Sequence, residues 1–235
     1  MILSHIVAAL SAFVRSVQYA GVLRISKAEL LPYVKKSVRL ALCYAGFGTF
    51  WNSREAWKAG EAAFLSCAYD VVTDWRKFDK EARIAFEGVL TALSGVELRE
   101  LALTLYDKDL KNELAADGLE RGAIALRFIL KTMGCETQRA ATWGDLDDLG
   151  ELLQIVDDVL DYEDDMVAGD LNCLGTAERD AYLERLLEGL SSEKTHRLFG
   201  ERSVLVFTID GARKKGAKLL AKTSTDGEGE FSTRL

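Results

Sequence analysis

Proline is almost absent from this 235-residue sequence, which contains only Pro32. Few stretches alternate between apolar and polar residues, so strands with one buried face are not expected. Apolar residues instead recur at intervals of three and four, for example from Leu146 to Leu160, and this spacing predicts an all-α fold. We predict helices at 4–20, 27–48, 54–90, 96–114, 117–133, 145–168, 177–190 and 201–222, and only the segment from Val204 to Ile209 resembles a strand.

Cysteine and histidine are scarce as well, which counts against the common metal and disulfide frameworks. The four cysteines lie far apart and form no CxxC pair, and the two histidines show no partner pattern. We therefore expect reduced thiols in a cytoplasmic protein rather than a zinc site. The net charge of -7 argues against nucleic acid as the main partner.

The sequence also has no repeat and no linker that would divide it. With 49% hydrophobic residues, the chain suits one domain with a sizeable core, which we place at residues 1–222. The polar, glycine-containing segment 223–235 is expected to be disordered.

No apolar run is long and uninterrupted enough to predict a membrane span. The N-terminal segment is apolar, but His5 and Arg15 interrupt it and it lacks the basic start of a signal peptide. A first amphipathic helix is the expectation, with contact to a membrane surface as the lesser alternative. Formation of a homodimer is left open.

Acidic side chains, by contrast, are concentrated in the segment LLQIVDDVLDYEDDMVAGDLN. Five aspartates fall within nine positions of it: Asp157, Asp158, Asp161, Asp164 and Asp165. On a helix, the first, third and fourth of these share a face roughly 60° wide, and the same face carries Leu146, Gly150 and Leu153 one or more turns earlier. A cavity with an apolar body and an acidic mouth fits this change along one face. The alternative is a solvated, acidic helix end.

A second pair of carboxylates, Asp70 and Asp74, lies one turn apart on the predicted helix 54–90, and Lys77 falls on the same face one turn later. Small residues precede the pair on that face: Ala59, Ala63, Ser66 and Cys67. Like charges at this spacing repel, and hard divalent cations with oxygen ligands relieve the repulsion. We therefore expect two facing carboxylate helices that bind Mg²⁺.

These residues resemble the class I isoprenoid synthases, which include prenyltransferases, squalene and phytoene synthases and terpene cyclases. Asp157, Asp158 and Asp161 resemble the second aspartate-rich motif of polyprenyl diphosphate synthases, and Asp161 with Asp165 also matches the squalene synthase spacing. The segment ILKTMG resembles the lysine-threonine motif of prenyltransferases, which implies that Lys131 and Thr132 bind the diphosphate of the substrate.

The resemblance implies a single-domain helical bundle that binds Mg²⁺ and ionises an allylic prenyl diphosphate. Its catalytic residues would be Asp70, Asp74, Asp157 and Asp161, with Asp158 and Asp165 as further metal ligands. Lys77 would add positive charge. Phe64 and Tyr69, with Phe128 and Trp143, are candidates for contact with the carbocation, although core packing is the commoner role of aromatic residues.

The sequence departs from the chain-elongating enzymes at their site for isopentenyl diphosphate. The comparable region has Lys35, Lys36 and Arg39 but lacks the glycines of that site. We therefore predict a terpene synthase. The alternatives are a prenyltransferase of the squalene/phytoene or polyprenyl type and, more distantly, a non-catalytic acidic protein that binds Mg²⁺ or Ca²⁺. An EF-hand is not expected, because the carboxylates lie on helices rather than in a 12-residue loop.

Overall fold

A computed structural model of the chain describes residues 2–47, 53–111, 113–114, 118–169, 172–199 and 203–229. Within these ranges every regular element is helical, which confirms the predicted all-α class. The α-helices are α1 (Ile2–Tyr19), α2 (Lys27–Tyr44), α3 (Ser53–Asp70), α4 (Lys80–Leu93), α5 (Val96–Leu110), α6 (Leu119–Met133), α7 (Glu136–Trp143), α8 (Leu146–Ala168), α9 (Arg179–Gly189), α10 (Ser192–Phe199) and α11 (Val204–Gly229). A π-helical segment, Val71–Trp75, follows α3, and 3₁₀ turns occur at Ala45–Phe47 and Cys173–Gly175.

The buried apolar residues form a single cluster that includes side chains from α1 to α11. This common core agrees with one domain. None of the helices in the described ranges is both long and apolar enough to cross a membrane.

The predicted helix 54–90 is wrong, because the structure divides it into α3, the π segment and α4. In the π segment the Arg76 amide donates to the Val71 carbonyl at 2.9 Å, and Lys77 and Phe78 then adopt left-handed φ values of 46° and 63°. The Asp79 side chain accepts from the Glu81 amide and begins α4. Lys77 therefore lies in a turn and does not continue the helical face of Asp74.

Other boundaries differ less. The prediction missed the short helices α7 and α10, and α5 ends at Leu110 rather than at residue 114. The N-cap of α8 is Asp145, whose carboxylate accepts from the amides of Asp147 and Asp148. The strand-like segment from Val204 to Ile209 forms the first turns of α11. This helix continues to Gly229, into the segment expected to be disordered, and residues 230–235 lie outside the described ranges.

Helices α6 and α8 pack closely and run antiparallel. A Cβ atom added at Gly150 would lie 2.5 Å from the Ala123 Cα atom, so the two backbones touch at this point. One turn farther along α6, Arg127 donates to Asp147 near the start of α8, at 2.6 and 2.8 Å. The antiparallel arrangement places the acidic half of α8 beside the N-terminus of α6.

Candidate active site

The site is built around the ammonium group of Lys36 on α2. Its Nζ lies 2.7 Å from Oδ2 of Asp70, the last residue of α3. Burial disfavours the charge of Lys36, yet the attraction of Asp70 holds its pKa above the ordinary value. Burial in turn raises the pKa of Asp70 against the opposing attraction of Lys36. This ion pair joins α2 to the end of α3.

The acidic half of α8 faces the same lysine. Burial, followed by the like charges of Asp161, Asp158 and Asp70, raises the pKa of Asp157 to about 7, and Lys36 opposes the rise. Burial and then Asp165 raise the pKa of Asp161, again against the attraction of Lys36. The charges of Asp70 and Asp161 therefore both act on Asp157, and the Lys36 ammonium group acts on all three carboxylates. The structure brings these three predicted site residues together.

The carboxylates of this cluster are open to water on one side. Asp157 is exposed, and the Asp70 side chain keeps 28% of its surface accessible. A diffusible ligand can therefore reach the cluster.

Asp74 lies at the edge of this cluster. It is exposed in the π segment, and its Oδ1 accepts from the Thr73 hydroxyl at 2.9 Å. Its charge acts on both Lys36 and Arg121. π-helical turns inside helices are frequent at functional sites, because the extra residue redirects the side chains that follow.

Two further cations also border the cluster. Arg121, near the start of α6, donates to the buried Asp109 at 2.9 and 3.2 Å, and its charge acts on Asp70 and Asp74. Lys215 of α11 donates to the Leu160 carbonyl at 2.9 Å, and its charge acts on Asp161. No local sequence pattern marks Arg121, because its partners lie on other elements.

Tyr69 and Phe64 have structural contacts. The Tyr69 hydroxyl donates to the same Asp109 that binds Arg121, and burial followed by Asp109 raises the pKa of the Tyr69 phenol. Phe64 is fully buried, with its ring centroid 5.5 Å from that of Tyr19 and 6.5 Å from that of Tyr33. Tyr69 thus positions Asp109, and Phe64 packs in the core among α1, α2 and α3.

Asp158 and Asp165 hold the chain that follows α8. The two Asp158 oxygens accept from the Gln154 side chain and from the Cys173 amide, both at 2.7 Å. The Asn172 amide group donates to Asp165 at 2.8 Å and to the Asp158 carbonyl at 2.9 Å. Asp158 is buried, and it points about 100° round the helix from Asp157. Their hydrogen bonds therefore assign these two predicted metal ligands a structural role.

Lys131 and Thr132 lie far from the carboxylate cluster. Because α6 and α8 are antiparallel and Arg127 contacts Asp147, Lys131 and Asp157 are about 20 Å apart along the helix axes at 1.5 Å per residue. Lys131 instead contacts Glu97, and its Nζ is 3.9 Å from Glu136. The Thr132 hydroxyl donates to the Phe128 carbonyl within α6. The structure therefore does not bring the lysine-threonine motif to the site.

The apolar part of the α8 face does not line an open cavity at Gly150, because the backbone of α6 covers it. A depression of about 460 Å³ lies elsewhere, between α8 and α9, and its lining includes Leu152, Arg185 and Glu188. Arg185 there donates to Asp148 at 2.8 Å and to Glu151 at 2.7 Å. This depression is distinct from the carboxylate cluster.

Mg²⁺ is the cofactor that the family resemblance implies. No three His, Cys, Asp or Glu side chains in the described part of the chain converge closely enough to hold a metal ion by themselves. Mg²⁺, however, is usually bound by one or two carboxylates together with waters and substrate phosphates. The oxygen donors of Asp70, Asp157 and Asp161 fit this mode, because a bound cation would relieve the like-charge repulsion that, together with burial, raises the pKa of Asp157.

Comparison with known proteins does not assign a family. No protein-family profile matches the chain, and neither a curated protein nor a solved structure is significantly similar to it. The isoprenoid synthase expectation therefore depends on the motif residues and on the cluster described above.

Proposed function

We propose that this protein is a Mg²⁺-dependent class I terpene synthase that ionises an allylic prenyl diphosphate. The supporting observation is that Lys36 binds Asp70 on α3 and also attracts Asp157 and Asp161 on α8. A metal-diphosphate complex brings both positive metal ions and negative phosphate oxygens. Carboxylates from two helices are suited to the metal ions, and the Lys36 ammonium group is suited to the phosphate oxygens.

The residues of the cluster have separate roles in this proposal. Asp70, Asp157 and Asp161 would hold Mg²⁺, which when bound would supply positive charge to stabilise the negative charge on the departing diphosphate. Lys36, which binds Asp70 in the free protein, would donate to a diphosphate oxygen and so leave the Asp70 carboxylate available as a ligand. Arg121 and Lys215 add positive charge from two further helices.

The reaction breaks the allylic C–O bond, and the electron pair leaves with the diphosphate oxygen. The remaining carbocation loses a proton to give a hydrocarbon, or adds water and then loses a proton to give an alcohol. It requires apolar surroundings until then. Val71 and Val72, which follow Asp70, and Val156, which precedes Asp157, belong to the buried apolar core on which these carboxylates are mounted.

The test is incubation of the protein with Mg²⁺ and prenyl diphosphates of several chain lengths, followed by analysis of the extracted products and of free diphosphate. We expect one allylic diphosphate to suffice, with a terpene hydrocarbon or alcohol as the product. A product that forms only when isopentenyl diphosphate is added, or that always joins two prenyl chains, would establish the prenyltransferase alternative. If the protein binds Mg²⁺ but turns over none of the prenyl diphosphates, the non-catalytic alternative would be supported instead.

A further inference from the structure

Helix α1 presents an apolar surface that nothing in the described structure covers. Among the α1 side chains that the structure describes, seven are exposed, and six of these are large and apolar, Gln18 being the exception. The apolar residues are Leu3, Ile6, Leu10, Phe13, Val14 and Val17. The opposite side of α1 carries Ala8 and Ala12, which are fully buried, and it packs so closely on α3 that a Cβ added at Gly60 would lie 2.2 Å from the Ala8 carbonyl oxygen.

The spacing of the exposed residues matches that of a coiled-coil seam. Leu3, Ile6, Leu10, Phe13 and Val17 follow one another at alternating intervals of three and four, which are the a and d positions of a heptad. We call these five residues the α1 seam. A narrow stripe with this period packs against another helix, because each side chain enters a gap between side chains of the facing helix.

The charge pattern of α1 favours a helix over a lipid surface as the partner. Helices that lie on membranes carry several lysines or arginines beside the apolar face. The only lysine or arginine of α1 is Arg15, and its guanidinium binds the buried Glu61 carboxylate at 2.5 Å. With neither acidic nor free basic groups along it, the seam can face an identical seam without charge repulsion.

The extent of the surface agrees with a pair of protein chains. The exposed apolar side chains of α1 leave roughly 500 Å² in water, which approaches the 600–800 Å² that each partner of a small specific interface buries. Within the described ranges, no other part of the chain covers these side chains.

We propose that the α1 seam is the interface of a homodimer, in which α1 of one chain packs against α1 of a second copy about a two-fold axis. With antiparallel helices, Leu10 lies nearest to the axis, because it is the middle residue of the seam. This surface is separate from the carboxylate cluster, so the inference does not depend on the proposed function.

Sedimentation velocity of the full chain tests the proposal. We expect wild-type protein across micromolar concentrations to sediment with twice the monomer mass of 26.0 kDa. Leu10→Lys should sediment as a monomer with an unchanged helical circular dichroism signal, because Leu10 is 53% exposed in one chain and the substitution places two like charges at the axis. Ile84→Lys is the matched control, since Ile84 is 59% exposed on α4, outside the seam, and this variant should remain dimeric.

A monomeric wild type, or a Leu10→Lys variant that stays dimeric, would overturn the proposal. Co-sedimentation with vesicles of phosphatidylcholine and phosphatidylserine covers the lipid alternative. Vesicle binding by a monomeric wild type that Leu10→Lys abolishes would assign the seam to a membrane surface instead. If Leu10→Lys lowers the helical signal, Leu10→Gln removes the apolar contact without adding charge, and the same mass criterion applies.

Discussion

At the scale of single residues, Lys131, which the sequence motif favours, and Lys36, which contacts the carboxylate cluster, have different surroundings. Lys36 binds Asp70 at 2.7 Å, whereas Lys131 contacts Glu97 and Glu136 at the far end of α6. We predict that Lys36→Met lowers diphosphate release from an allylic substrate by about 100-fold, because the developing negative charge loses a preorganised cation. Lys131→Met should leave the rate within about twofold, since no charge of the site is near it. The measurement is steady-state release of diphosphate by both variants.

The opposite order of effects, with Lys131 essential and Lys36 dispensable, would restore the lysine-threonine motif to the site and contradict the placement of α6. Circular dichroism of both variants serves as the control for folding. Lys36 and Lys131 are both partly exposed, so a methionine can be accommodated at either position.

The carboxyl group of Asp157 gives a prediction about pH. Its ordinary pKa is 3.8, and burial with the like charges around it raises the value to about 7 in the folded protein. Between these values the folded state retains a proton that the unfolded state has released, so stability should fall as the pH rises from about 4 to about 7. Asp157→Asn removes this contribution. The variant should therefore gain stability over wild type at pH 8 but not at pH 4.

Urea unfolding at several pH values measures the effect. Asp164→Asn is the control, because it removes the same charge from the same acidic half of α8. An equal gain at pH 4 and pH 8, or a gain as large in Asp164→Asn, would show that Asp157 does not titrate in the raised range.

At the scale of helices, the close contact of α6 and α8 determines where the acidic residues lie. A Cβ at Gly150 would come within 2.7 Å of the Gly122 carbonyl oxygen, and backbone atoms cannot yield as a flexible side chain can. We predict that Gly150→Ala destabilises the protein by about 1–3 kcal/mol.

Gly88→Ala is the matched control. Gly88 lies within α4, and a Cβ added there would meet no atom within 4 Å, so this change should stabilise by about 0.5–1 kcal/mol. Equal stabilities of the two variants in urea would contradict the α6–α8 packing.

Sequence periodicity predicted where most of the longer helices lie. It predicted neither where a helix is interrupted nor which helices contact one another. The prediction for α8, 145–168, nearly coincides with Leu146–Ala168, because one side of this helix is continuously apolar and Asp145 precedes it. The break after Asp70 was missed, since apolar residues continue through the π segment and only the backbone changes.

The candidate site was predictable only in part, for a similar reason. Asp157 and Asp158 are equivalent in the sequence motif, yet adjacent residues on a helix point in directions about 100° apart. Only the position of Cys173, whose amide donates to Asp158, reveals that the Asp158 carboxylate holds the chain that follows α8 and does not join the cluster. The pairing of Lys36 with Asp70 likewise depends on how α2 packs against α3, which local patterns do not encode.

At the scale of the whole molecule, the site depends on helices from distant parts of the chain. Lys36 on α2, Asp70 on α3, Asp157 on α8 and Lys215 on α11 act on one cluster. The central claim is that these carboxylates form one site for a metal-diphosphate complex. Such a site has a property that an acidic surface lacks, namely that Mg²⁺ and diphosphate bind to it together rather than in competition.

Calorimetric titration of inorganic diphosphate into the protein, with and without Mg²⁺, tests this claim most directly. We predict binding that requires Mg²⁺ and that weakens about tenfold or more in both Asp70→Asn and Asp157→Asn, which remove a carboxylate from either side of the cluster. Asp147→Asn, at the opposite end of α8 beside Arg127, should bind as wild type does. Absence of Mg²⁺-dependent binding, or an equal loss of affinity in Asp147→Asn, would contradict the account.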